Sequence, residues 1–478
     1  WMKMMSNPKR LHPIAIIFNM MKPIKELLFS FIIILVMDGF STYFFLFLFI
    51  FLLVDLVYGF LAWRKFSYYV TDEALHLEYG IIRHTKRTIS KNRIQSIDLT
   101  ENIVHRMFRL VKVQIETAGG GHEAEASLAA ITLREGENLR EILKNAPNGK
   151  ETLLEEQTVV TKKILMSRLV IAGFTSGGIG IVFGFLIAVL LELEEIVPEN
   201  VYDRVFAWIS ASSIITILLL VLISVIIVWL FGVLWVIIRY GDFTIKRTEN
   251  ELLITRGLLE RKQITIPLHR IQAIGVEENI FRQPFGYATV FAEVAGYRAK
   301  GELLDSTVLF PLLHKREIAE FVQNFLGEYA YDEAELNWVK PKKAALPFYL
   351  IRSSACFLIA GVVVYLFIPS FLWIPIVLFA LSIALGWFNY KDAGYYLTEE
   401  RIFIQYRFIK RVSIQLYHKR IQAFEKKQHA FQKKLGMATM QVSIIHNLGG
   451  KHLKAKDFEE EMIDVVNDSL AYRKAGPS

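Results

Sequence analysis

Along this chain long apolar runs and long polar segments alternate three times. Crossing ~30 Å of hydrocarbon takes about 20 apolar residues at 1.5 Å rise each. Six runs read as spans: Leu27–Met37, Phe44–Trp63, Leu169–Leu191, Val205–Ile238, Pro347–Ile368 and Phe371–Phe388. The first is short and draws on the flank from Ile14. Within each pair the connection is brief: Asp38-Gly39 and a few small or aromatic residues, an acidic stretch from Glu192 to Asp203, and Pro369-Ser370. The spans therefore form three hairpins, and each hairpin is followed by a long polar segment.

The polar segments repeat one another. Thr71-Asp-Glu-Ala-Leu-His-Leu-Glu-Tyr-Gly recurs as Thr248-Glu-Asn-Glu-Leu-Leu-Ile-Thr-Arg-Gly and as Thr398-Glu-Glu-Arg-Ile-Phe-Ile-Gln-Tyr-Arg. The offsets are 177 (248 − 71) and 327 (398 − 71), and they hold downstream, where Arg93-Ile94-Gln95 becomes Arg270-Ile271-Gln272 and Arg420-Ile421-Gln422. Repetition in register marks duplication of one structural unit. In the first copy Tyr69–Thr71, Leu75–Tyr79, Thr88–Ser90, Ile94–Leu99 and Val111–Thr117 read as strands by alternation and turn chemistry. A helical turn is expected around Ile103–Leu110, and Gly119-Gly120-Gly121 forces a turn. Amphipathic helices close the copies at Asn138–Leu143, Arg316–Leu326 and Phe458–Tyr472. Six or seven strands and one helix with an apolar face suit a twisted antiparallel sheet or partly open barrel, plugged by the C-terminal helix.

Charge sets the expected orientation. The 478 residues are 53% hydrophobic and 21% charged, with formal net charge +8. Before Glu26 the chain carries Lys3, Lys9, Arg10, Lys22 and Lys25 and no acid, whereas the short connections carry Asp38 and the acids between Glu192 and Asp203. The positive-inside rule places the N-terminus and the three polar segments in the cytoplasm of a multi-pass cell-membrane protein. The first span, lacking a small-residue cleavage site, reads as retained. A single cysteine, Cys356, rules out an intrachain disulfide and a thiolate metal site.

The hairpin before each unit, the Thr-(Asp/Glu) turn and the Arg-Ile-Gln strand resemble bacterial membrane proteins with pleckstrin-homology-like (PH-like) domains, of the three-domain kind. The resemblance covers nearly the whole chain. It gives the division 1–63, N-terminus and first hairpin; 64–150, first PH-like domain; 164–238, second hairpin; 239–330, second domain; 347–388, third hairpin; 389–474, third domain. Arg407 departs from the pattern, standing where the other copies have Gly80 and Gly257, and puts one turn conformation in question. The resemblance implies no assigned reaction. It implies an accessory protein linked to envelope defence against antimicrobial compounds, beside a smaller single-domain relative.

Three groups of residues are candidates for function. Basic turns lie at the same place in each copy: Arg83, Lys86 and Arg87; Arg261 and Lys262; Lys410 and Arg411. Each could contact lipid head groups or a partner, at about 1 kcal/mol per cation near an anionic surface, or could be a solvated hairpin. Arg93 and Gln95, Arg270 and Gln272, and Arg420 and Gln422 are two apart, which on a strand is one face. They would form either a binding strip or a structural pair bonding loop carbonyls of its own domain. Asp55 lies within the second span and Arg352 near the end of the fifth, a possible interhelical ion pair.

The third domain is the most basic, with 16 Lys+Arg against 10 Asp+Glu between Lys391 and Lys474. Lys426, Lys427, Lys433 and Lys434 lie beside Phe424 and Phe431. Attached spans favour a membrane surface over nucleic acid as the partner. His122-Glu-Ala-Glu lacks a second histidine, and neither Gly119-Gly-Gly nor Gly449-Gly450-Lys451 has phosphate-loop spacing, so no enzyme motif, metal site or cofactor is expected. The expectation is a non-enzymatic scaffold that binds membrane lipids, its own domains, a smaller homologous single-domain protein, or further copies of itself. A transporter or lipid-handling protein is the alternative.

Overall fold

The computed structural model describes residues 8–21, 23–24, 27, 42–117, 126–144, 160–176, 204, 207–208, 211, 213–296, 306–331, 336–445 and 450–474. The chain packs as two compact units, Trp1–Thr265 and Ile266–Ser478. Their boundary falls inside the second repeat rather than between repeats.

In the first unit α1 (Thr42–Lys65) is a membrane-length helix. The first repeat follows: β1 (Ser67–Val70), β2 (Ala74–Tyr79), β3 (Thr85–Ser90), β4 (Ile94–Glu101), α2 (Ile103–Met107), β5 (Leu110–Thr117), β6 (Ala126–Thr132) and α3 (Leu133–Lys144). Alternating side chains bury one face of each strand, and Leu75, Leu77, Ile97, Leu99, Val113, Ile115 and Leu128 form the core. The helix α3 contributes Leu139 and Leu143. The segment before α1 closes the outer edge of β1, with Lys9 and Tyr68 exchanging backbone hydrogen bonds of 2.8 and 2.9 Å. Next come β7 (Val160–Lys163), α4 (Met166–Phe174), the long apolar α5 (Ile214–Tyr240), β8 (Thr244–Arg247), β9 (Glu251–Arg256) and β10 (Arg261–Pro267). Here β7 covers β8 as the Lys9 segment covers β1.

In the second unit β11 (Ile271–Glu278), β12 (Tyr287–Val294), β13 (Thr307–His314) and α6 (Lys315–Leu326) complete the second repeat's elements. The hairpin α7 (Leu346–Phe367) and α8 (Trp373–Asp392) follows, with a one-turn 3-10 helix at Pro369–Phe371. The two helices approach closely: a Cβ on Gly386 would lie 3.0 Å from the Tyr349 carbonyl oxygen. The third repeat is β14 (Gly394–Leu397), β15 (Arg401–Arg407), β16 (Arg411–Tyr417), β17 (Ile421–Lys427), α9 (Ala430–Lys434), β18 (Met437–Ile444), β19 (Lys451–Glu459) and α10 (Glu460–Lys474). Its core joins Ile402, Ile404, Ile414, Met440, Val442, Leu453 and Phe458, plugged by Ile463 and Val466 of α10.

Four helices among the described residues are long and apolar enough to cross a membrane: Thr42–Lys65, Leu218–Tyr240, Lys343–Phe367 and Pro369–Asp392. The expected span Leu27–Met37, apart from Leu27, and most of Leu169–Leu191 lie outside the described residues, as does the Gly119-Gly-Gly turn. Six spans thus reduce to four in what is described.

The strand order is the unexpected feature. Within the first unit the sheet runs β6-β5-β4-β10-β9-β8-β7, and within the second β13-β12-β11-β16-β15-β14. The fourth strand of one repeat therefore pairs with the third strand of the next, and each large sheet is shared by two repeats. The remaining sheets, β1-β2-β3 and β17-β18-β19, are the unshared halves of the first and third repeats.

The turn between second and third strands differs where Arg407 replaces glycine. Gly80 and Gly257 have φ of +112° and +104°, and a Cβ there would meet a backbone carbonyl oxygen at 1.9 and 2.0 Å. Arg407 instead extends β15, pairing with Arg411. Its buried guanidinium bonds Asp392 and, at 2.8 Å, Gln283 Oε1. Gly257→Ala combines left-handed strain with a backbone clash and is expected to lower stability by about 1–3 kcal/mol. Thermal unfolding of the full chain in detergent checks this; an unchanged Tm would contradict it.

Candidate functional site

The Arg-Ile-Gln repeat folds into a corner rather than a flat strip. Arg93, Arg270 and Arg420 each end a one-turn 3-10 helix, and the following isoleucine opens β4, β11 or β17. The glutamine sits at a register shift in all three copies, between Ile94 and Ser96, Ile271 and Ala273, and Ile421 and Ala423. A bulge places an unpaired residue and bends the strand. The arginine is thus outside the strand, and the expectation of one shared strand face does not hold. In the second copy Arg270 Nη2 donates to the Ala295 carbonyl and Gln272 Nε2 donates to the Arg270 carbonyl at 3.1 Å. That is the structural role of bonding loop carbonyls.

The basic turns have two kinds of surroundings. In the second and third repeats they lie where repeats join. Across β4 and β10, Arg261 faces Glu101, Lys262 faces Thr100 and Gln263 faces Leu99. Thr265 N–H donates to Asp98 Oδ1 at 3.1 Å, and Arg140 Nη2 donates to Thr265 Oγ1 at 2.6 Å. Burial holds the Lys262 ammonium below its ordinary range, with Glu260 opposing that shift and Arg256 and Arg239 adding to it. This lysine is not part of a freely solvated hairpin.

Across β11 and β16 the same register recurs, running from Arg411 opposite Glu278 to Leu416 opposite Ala273. Arg411 Nη2 reaches both Glu278 oxygens at 2.6 Å and Nε reaches Oε1 at 3.1 Å. Lys315 adds a second cation at 2.8 Å, and Lys410 Nζ bonds Glu277 Oε1 at 2.7 Å. A buried carboxylate needs partners of this kind. Gln415 Nε2 donates to the Tyr329 carbonyl at 3.0 Å, and Arg401 Nη1 to the Ala330 carbonyl at 2.7 Å.

In the first repeat the equivalent residues flank a sheet end. β3 has β2 on one side, and no strand is paired on the other among the described residues. Arg83 is exposed, Ile82 fully so, and Lys86 bonds Glu78 on the adjacent strand at 2.9 Å. At the opposite terminus β17 ends its sheet in the same way. Five of its seven residues are exposed, Gln422 among them, whereas Gln272 in β11 is buried.

Asp55 is buried in α1, with Oδ2 lacking a hydrogen-bond partner among the described residues. Arg352 Nη2 donates to Asp457 Oδ2 at 3.0 Å, so the carboxylate holding it comes from the third repeat rather than from the Asp55 expected. Among the described residues, no group of three or more His, Cys, Asp or Glu side chains could hold a metal ion.

Comparison with known proteins agrees with this architecture. The bacterial PH domain family matches residues 28–147, 199–330 and 350–474. The chain is 32% identical over 501 residues to UPF0699 transmembrane protein YdbT of Bacillus subtilis (strain 168), covering 99% of this chain and all of that protein. Each match contains one strand-rich repeat, the second beginning at residue 199 and so after the expected span Leu169–Leu191, and the threefold repeat seen in the strands is the unit the family model matches. The chain is a membrane protein belonging to the bacterial PH domain family, of the three-domain YdbT-like type.

Proposed function

We propose that this chain is a non-enzymatic, multi-pass membrane scaffold whose PH-like domains lie on the cytoplasmic face and assemble edge to edge. The observation that carries this reading is the common register of the two junctions, where a basic third strand meets an acidic fourth strand. A strand edge is a row of backbone donors and acceptors, which a neighbouring strand satisfies. The same mode extends outward from β3 and β17, each taking a PH-like domain of another chain. Any accessory role in envelope defence would act through that partner.

Charge favours a different chain over a second copy. In the shared register Lys86 of β3, held by Glu78, would face Lys426 of β17, held by Glu460 and Asp464 at 2.9 and 2.7 Å, so that pair lacks the cation-to-carboxylate match that Arg411 and Glu278 make. Arg87 would meet Glu425, which already binds Lys427 at 2.8 Å. The basic β3 edge suits an acidic fourth strand such as Glu101 or Glu277 and Glu278 supply within the chain. The smaller single-domain relative fits as its source.

Two measurements test this reading. Purification of the full chain from native membranes is expected to retain a chain bearing a PH-like domain, and Lys86→Glu/Arg87→Glu is expected to release it. Retention unchanged by the charge reversal, or solute movement by the protein alone in proteoliposomes, would contradict the scaffold. At the internal junction, Glu278→Gln removes the carboxylate shared by Arg411 and Lys315, leaving Arg411 with Asp392 at 3.8 Å, and is expected to cost about 3–5 kcal/mol. The double variant Glu278→Leu/Arg411→Met is expected to recover most of that loss in denaturant unfolding, since an apolar pair can replace a buried ion pair.

A further inference from the structure

The foot of the third hairpin encloses a cavity of about 800 Å³ that the strand junctions do not use. One wall is made by membrane helices: Arg352, Cys356 and Phe357 of α7, and Leu385 of α8. The other is made by the third repeat. His452, Lys454 and Lys456 lie on one face of β19, because alternate residues share a face, while Leu453 and Ala455 point into the core. The turn residues Phe408 and Ile409 also line it, and both are exposed.

The cavity's charge is one-sided. Among the described residues Arg352, Arg407, Lys451, Lys454 and Lys456 line it, and no aspartate or glutamate does. Three of these cations are neutralised from behind: Arg352 by Asp457, Arg407 by Asp392, and Lys451 by Glu293 at 2.6 Å. Lys454 and Lys456 have no ion pair among the described residues. Glu425, which feels the positive charge of Lys454, is bound to Lys427. Burial first, then Arg352 and Lys454 beside it, pull the Lys456 ammonium below its ordinary range, with Asp457 opposing the shift. An anion placed between Lys454 and Lys456 adds the countercharge that these two lysines lack among the described residues.

Depth selects the kind of anion. From Tyr349 to Phe357 the wall climbs about 12 Å along α7 at 1.5 Å per residue. A head-group layer is about 5–7 Å thick on each side of the hydrocarbon. The cavity is therefore longer than one head-group layer and runs from the basic strand β19 to the apolar side chains of Phe357 and Leu385. A soluble anion would use only the basic half, while an amphiphile uses both. Tyr349 OH donates to the Lys456 carbonyl at 2.8 Å, and Arg352 bonds Asp457, so helix and strand are fixed to each other and the cavity is preformed.

We propose that this cavity binds an anionic phospholipid, its phosphate between Arg352, Lys454 and Lys456 and its acyl chain along Phe357 and Leu385. The site is separate from the strand edges and stands or falls independently of them. The test uses the full chain in detergent, titrated with phosphatidylglycerol or phosphatidylcholine and read by native mass spectrometry. Phosphatidylglycerol is expected to bind in preference to phosphatidylcholine. Lys454→Gln/Lys456→Gln is expected to weaken it about 30-fold, while Lys433→Gln/Lys434→Gln, an equal loss of charge elsewhere, leaves it unchanged. Lys454→Glu, at an exposed position, repeats the test if the double variant does not fold. Equal binding of the two lipids, equal loss in both double variants, or displacement of phosphatidylglycerol by equimolar inorganic phosphate would each overturn the proposal.

Discussion

A β-strand at the edge of a sheet leaves backbone N–H and C=O groups without protein partners, and this constraint organises the strand-rich portion of the chain. Each repeat is two three-stranded halves joined through the 3-10 turn and the bulged glutamine. The third and fourth strands of a repeat lie in separate sheets, so each offers an edge to another strand. Three repeats in series bring a fourth strand beside the next third strand twice, and both times they pair in the same register. The compact units of the molecule then follow the shared sheets rather than the duplicated segments.

Side chains make that pairing selective. A bare edge would pair with many strands, including those of identical chains, and proteins commonly protect such edges with charge. Here the internal pairs are marked by Arg261 opposite Glu101 and Arg411 opposite Glu278, and the terminal edges by lysines that oppose one another. For Glu278, buried between Arg411 and Lys315, removing one partner is expected to cost far more than replacing the cluster by apolar groups. The same logic places Arg407: without the glycine that lets the other turns bend tightly, the third turn supplies a guanidinium that ties α8 and the second repeat's Gln283 to β15.

Much of the fold was legible in the sequence because local pattern dictates it. Alternation located Leu75–Tyr79, Ile94–Leu99 and Val111–Thr117 to within one or two residues, and apolar length located the helices at Phe44, Pro347 and Phe371. Amphipathic periodicity located the closing helices at Arg316–Leu326 and Phe458–Tyr472 to within two residues, but placed the start of the first at Asn138, five residues after Leu133. Pairing between repeats was not legible, since a strand's own residues do not say which neighbour it takes when the candidates are copies of each other. The basic turns were visible as charge, but the acids that bind Lys410 and Arg411, Glu277 and Glu278, lie 133 residues away along the chain. The signal that could have found them was the reversed sign of the fourth strands, Glu101 and Glu278 against Lys426 and Lys427. Arg-Ile-Gln was read as a strand because a 3-10 turn of three residues leaves no periodicity. Asp457, which holds Arg352, sits in a strand with lysines before it and gave no hint that it faced a helix 105 residues earlier.

Hydrogen–deuterium exchange on the purified full-length protein tests the edge-pairing account most directly. Strands β11 and β17 are the same strand of the repeat, one paired on both sides and one on one side only. The account predicts that amides from Ala273 to Glu278 and from Arg411 to Leu416 exchange slowly, as core amides do, while a large share of those from Ile421 to Lys427 exchange fast. Protection of β17 equal to that of β11 in the protein alone, or fast exchange throughout β16, would contradict it.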